Sequence, residues 1–67
     1  MKISYNNLWK LMIDKGLNKS ELREITGMGT NTLAKLSKNQ PVSMEVLMKV
    51  CEKLDCVLTD VCEFIKE

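Results

Sequence analysis

Between Asn18 and Lys38 the chain reads NKSELREITGMGTNTLAKLSK, a pattern that leaves little choice of local structure: two short helices around a tight turn. Asn18 is a good N-cap for the first, because its side-chain oxygen can accept a backbone N–H that the helix leaves unpaired. Leu22 and Ile25 lie three residues apart and so share one face. Gly27 then ends the helix, since glycine takes the left-handed C-cap conformation without steric cost, and Met28 can tuck back under the turn. A second helix starts near Thr30. Its Leu33 and Leu36 pack on Leu22, Ile25 and Met28, so that Thr30, Asn31, Ala34, Lys35 and Lys38 face outward. Short polar and cationic groups at the leading end of a helix suit the floor of a DNA major groove.

The rest of the chain continues the helical pattern. Tyr5, Leu8, Leu11 and Met12 repeat at three or four residues, Trp9 and Ile13 widen that stripe, and Gly16 stops the helix after Lys15. The leading residues KIS form a short extended arm. Asn39, Gln40 and Pro41 make a turn, after which Ser43 caps a helix with Leu47, Val50, Cys51 and Leu54 at helical spacing. Trp9, Met12, Met44 and Met48 are expected in the core, as flexible or bulky apolar side chains at helical spacing usually are. A last helix runs from Leu58 to Ile65, with Thr59 as its cap, Asp60 in its first turn where the dipole favours a carboxylate, and Val61, Phe64 and Ile65 as apolar surface. The expected fold class is therefore all-α, with five helices in one domain spanning residues 1–67.

At 67 residues the chain buries only about 60% of its unfolded surface, so its stability is small without help from a partner. A large enclosed active site is excluded on the same ground. No apolar run approaches the roughly 20 residues that cross a bilayer, and MKISYNNLWK lacks the apolar core of a signal peptide; a cytoplasmic location is expected, with no membrane partner. Cys51, Cys56 and Cys62 are odd in number, form no CxxC pair and have no histidine beside them, so they read as structural residues on apolar helix faces. No metal or cofactor is expected. General acid–base and nucleophilic arrangements also lack their parts, and GMG at residues 27–29 is a turn without the third glycine of a dinucleotide fingerprint, so the chain does not read as an enzyme.

The net charge of +1 hides an asymmetry. Residues 1–40 carry seven cations against three carboxylates, and residues 41–67 carry three against six. A domain polarised in this way can present its basic half to phosphate while the acidic half stays in solvent or meets another protein.

The turn glycine, the glycine two residues later and the two aliphatic anchors, here Gly27, Gly29, Leu33 and Leu36, resemble the helix-turn-helix of the phage repressor and Cro-like family, also called the XRE family. The resemblance extends over nearly the whole chain, with flanking helices at 5–15, 43–54 and 58–65. One position departs from the pattern: Arg23 stands where the family usually has alanine at the helix crossing, and its long side chain is expected to extend along the surface. The resemblance implies a bacterial or phage transcriptional regulator, most simply a repressor, that binds double-stranded DNA as a homodimer with the helix from Thr30 to Lys38 in the major groove.

On that footing Thr30, Asn31 and Lys35 are the expected base contacts, Asn31 because an amide can bond adenine bidentately. Lys35 can reach either a guanine edge or a phosphate. Lys19, Thr32 and Lys38 are the expected phosphate contacts, Lys19 because it opens a helix whose free N–H groups already favour anions. Lys10 and Arg23 can extend the same footprint. The acidic carboxy-terminal half is available to RNA polymerase or another protein. Two other classes remain: a helical protein-interaction module such as an antitoxin or adaptor, and a thiol-based metal or redox sensor.

Overall fold

The computed structural model describes residues 1–66. A short strand, β1 (Lys2–Ser4), leads into α1 (Asn6–Asp14), α2 (Lys19–Thr26), α3 (Thr30–Ser37) and α4 (Met44–Leu54). A single 3-10 turn (Leu58–Asp60) then leads into β2 (Glu63–Ile65), which pairs antiparallel with β1, Ile3 opposite Phe64.

Each helix ends against a residue of positive φ. Gly16 follows α1, Gly27 closes α2, Asn39 follows α3 and Asp55 closes α4, and these four are the positive-φ residues among those described. Glycine has no steric penalty there, and Asn and Asp tolerate the region better than other side chains. After α1, α3 and α4 the next amide returns to a carbonyl one turn back, Leu17 to Met12 at 2.9 Å, Gln40 to Lys35 at 2.9 Å and Cys56 to Cys51 at 3.0 Å. These bonds satisfy carbonyls that a helix end leaves open.

Tyr5, Leu8, Met12, Leu22, Met28, Leu36, Leu47, Val50, Leu54 and Val61 form one buried cluster contributed by all four helices and the carboxy-terminal segment. Tyr5 is also an anchor by hydrogen bonding. Its hydroxyl donates to the Gln40 carbonyl at 2.8 Å and its backbone N–H to Asn39 Oδ1 at 3.2 Å, which ties the amino-terminal arm to the loop after α3.

The carboxy-terminal segment corrects the all-α, five-helix expectation. Residues 58–65 make one 3-10 turn and a strand, so the described residues form four α-helices and a two-stranded sheet. Asp60 is the last residue of the 3-10 turn and opens no α-helix: its carboxylate accepts the Val57 N–H at 3.2 Å and closes the turn locally, an alternative that Asp side chains offer to helical pairing. Thr59 gives no cap and instead accepts Asn7 Nδ2 at its carbonyl, 3.4 Å away. Phe64 and Ile65 are β-favouring, and the arm 2–4 supplies the partner strand.

Three further expectations about the core change. Met44 and Met48 are exposed on α4, whose Leu47, Val50 and Leu54 face inward instead. Ile13 is exposed, so it does not widen the α1 stripe. In α2 the inward pair is Leu22 and Thr26, with Ile25 40% exposed. Thr26 is buried without penalty because its hydroxyl donates to the Leu22 carbonyl at 2.7 Å and accepts the Met28 N–H at 3.5 Å.

Candidate nucleic-acid interface

The local structure of the α2–α3 unit follows from its caps. Asn18 Oδ1 accepts the Glu21 N–H at 2.8 Å while Glu21 Oε1 accepts the Asn18 N–H at 3.1 Å, a reciprocal capping box that fixes the first turn of α2. At the other end Gly27, with φ 72°, turns the chain, Met28 is buried beneath it, and Gly29 opens α3 in an extended conformation with no side-chain cap. Thr30 and Asn31 are therefore not engaged as caps.

Leu36 is fully buried and Leu33 packs partly against the core, which fixes the rotation of α3. With about 100° of turn per residue, the opposite side consists of two neighbouring rows, Thr30–Ala34–Lys38 and Asn31–Lys35. Thr30, Asn31, Ala34, Lys35 and Lys38 are all exposed. The strip is polar at its leading end, low in relief at Ala34 and cationic at Lys35 and Lys38. Thr32 belongs to the flank next to Leu36 and is half-buried, so it stands apart from the other expected contacts.

Lys19, at the first position of α2, is held by two partners that local sequence spacing does not signal. Its ammonium lies 4.5 Å from the centroid of the Trp9 ring and donates to Ser37 Oγ at 3.2 Å. Trp9 is half-buried on α1 and Ser37 ends α3, so one cation joins three helices. Arg23 is exposed, as expected for a long side chain leaving the crossing, and Lys10 is exposed on α1.

The thiols lie away from this strip, at the end of α4 and beyond it. Burial pushes the Cys56 thiol up from 9.0 to about 11, with neighbouring Cys51 adding to the shift, and burial likewise raises Cys62. Both are neutral at physiological pH and are poor nucleophiles and poor metal ligands in that form. Among the described residues no group of three or more His, Cys, Asp or Glu side chains is arranged to hold a metal ion, and no helix is long and apolar enough to cross a membrane.

The family profile of the Cro/C1-type HTH DNA-binding domain matches residues 7–67. Among solved structures, the transcriptional regulator VanUg in its crystal form II superposes with a TM-score of 0.96 at 48% sequence identity, over 98% of this chain and 88% of that one. No curated protein matches.

Proposed function

The chain belongs to the Cro/C1-type helix-turn-helix DNA-binding family, and we propose on that basis that it is a sequence-specific transcriptional regulator that reads duplex DNA with α3. The observation that carries this reading is the outward strip of Thr30, Asn31, Ala34, Lys35 and Lys38 on a helix anchored from behind by Leu33 and Leu36. The likeness to a protein described as a transcriptional regulator supports it.

In this reading α3 enters the major groove. Asn31 bonds an adenine edge through both ends of its amide, Thr30 reaches the neighbouring base, and Ala34 lets the helix approach closely. Lys35 contacts a guanine edge or a phosphate, while Lys38 and Lys19 take phosphates on either side and the Thr32 hydroxyl adds a flanking phosphate contact. The base contacts choose the sequence; the cations supply affinity for any sequence. Occupation of a promoter then represses by excluding polymerase, and the acidic face of residues 41–67 is the surface for a polymerase or other protein contact.

Binding as a homodimer completes the mechanism, because one recognition helix reads only a few base pairs and two related by a two-fold axis read half-sites about 34–36 Å apart. The sheet offers the surface. Beyond its pairing with β1, β2 presents Phe64, 73% exposed, and Ile65 at an open sheet edge.

Selection of bound sites from a random DNA pool tests the reading. Asn31→Ala should relax preference at one base position per half-site and cost about 1–3 kcal/mol of specific binding. A folded Asn31→Ala variant that selects the same sites as the parent would overturn the docking of α3.

A further inference from the structure

The capping box of Asn18 and Glu21 fixes the backbone under Lys19, but a lysine carries a long, flexible stem, and holding its ammonium at one place costs side-chain entropy. Here that order exists before any ligand arrives. The Trp9 ring lies under the ammonium at 4.5 Å from its centroid, and Ser37 Oγ accepts one of its three protons at 3.2 Å. An aromatic face attracts the charge without using up a directional hydrogen bond, so donors remain for an outside acceptor. Ser37 directly precedes Lys38, which puts the held cation at the end of α3 that carries a second one.

We infer that Trp9 is a positioning residue for DNA binding: it holds the Lys19 ammonium ready to take a backbone phosphate, with the Ser37 hydroxyl as the acceptor in the free protein. The inference rests on the assignment of Lys19 as a phosphate contact. Trp9 itself touches no DNA. Its contribution is the ordering of Lys19, which makes the effect one of affinity for every sequence alike.

Binding of a short duplex of arbitrary sequence, measured across several salt concentrations for the wild type, Trp9→Leu, Trp9→Phe, Lys19→Ala and the Trp9→Leu/Lys19→Ala double variant, tests it, with folding checked by circular dichroism. Lys19→Ala should lower the salt slope by about 0.9, the value for one phosphate no longer neutralised. Trp9→Leu should weaken binding about two- to fivefold at every salt concentration without changing the slope. Trp9→Phe, which keeps an aromatic face, should recover part of that loss, and Trp9→Leu should add nothing once Lys19 is alanine. Trp9 is the chain's one tryptophan, so its emission reports on the site directly and should change on duplex binding in the wild type but not in Lys19→Ala.

A lowered slope in Lys19→Ala combined with an undiminished effect of Trp9→Leu in the Lys19→Ala background would overturn the role of Trp9 alone. An unchanged slope in Lys19→Ala would overturn the phosphate contact and the inference with it. Where Trp9→Leu fails to fold, wild-type emission that ignores the duplex while the Lys19 slope effect persists would still refute the positioning.

Discussion

Between Asn18 and Gln40 almost every turn, cap and helix end is closed by a bond reaching a few residues along the chain, whereas Lys2–Ser4 and Glu63–Ile65 meet across nearly its whole length. The first kind of structure needs little beyond its own sequence to take shape. The second requires the rest of the core to bring its halves together, because loop closure costs entropy before a distant contact can repay it. The helix-turn-helix is thus specified locally and supported by the core, while the sheet is a product of the completed fold. The same division separates the two surfaces proposed for function: the strip proposed to read bases sits on the locally specified unit, and the edge proposed for association sits on the sheet.

The largest expected effect tests whether the two regions share one core. Leu36 is fully buried within the cluster that also contains Tyr5 and Val61, so Leu36→Ala should cost about 2–5 kcal/mol. That is comparable to the entire stability of about 3–5 kcal/mol that a core of this size supplies. Urea unfolding followed by far-ultraviolet circular dichroism should show a chain that is largely unfolded without denaturant. Retention of the Trp9 environment alongside loss of the helix signal would instead split the molecule into independent parts.

A smaller effect is expected where the local unit depends on backbone conformation alone. A Cβ placed on Gly27 meets no atom within 4 Å, so Gly27→Ala should cost only the strain of its φ of +72°, about 1–2 kcal/mol. Gly27→Asn should recover part of that. Thermal unfolding of both variants checks the point, and equal losses for Ala and Asn would mean that the left-handed turn is not what the glycine provides.

The smallest expected effect on stability belongs to the sheet edge. Phe64 is 73% exposed, so Phe64→Ser should change the folding free energy of the monomer by no more than about 0.5 kcal/mol. Its effect should appear in sedimentation at micromolar concentration, where the wild type associates and the variant does not. A wild-type monomer that nonetheless bound a palindromic site cooperatively would move assembly onto the DNA.

The same contrast decides what could be read from the residues. Asn18, Gly27, Leu22, Leu33 and Leu36 carry short-range signals, and the outward strip on α3 is simply what remains once both leucines point inward. Asn39 also carries such a signal, since asparagine tolerates the left-handed region that ends α3. The extended arm of Lys2–Ser4 is legible locally, but its pairing is not, because the residues opposite Phe64 and Ile65 are more than sixty positions away in sequence. On α4 the apolar residues form two adjacent stripes, and periodicity alone does not choose between Leu47–Val50–Leu54 and Met44–Met48. Thr26 displaces Ile25 from the interior because its hydroxyl finds a backbone carbonyl one turn back, a compensation that hydropathy does not register. The pairing of Lys19 with Trp9 and Ser37 depends on how three helices cross, and no spacing within one helix encodes that.

The bonds from Tyr5 to Asn39 and Gln40 make the junction of β1 and α1 a participant in the end of α3. Short strands with few buried contacts usually open at little cost, and their amide protons exchange with solvent quickly. In this molecule the Tyr5 amide is held by the Asn39 side chain, and the Gln40 amide, bonded to the Lys35 carbonyl, is part of the same junction. Opening the first strand should therefore loosen the last turn of α3 in the same step. The protection of the Gln40 amide against exchange should follow that of Tyr5, so that the arm sets how long the carboxy-terminal end of α3, with Lys35 and Lys38 on it, stays in register.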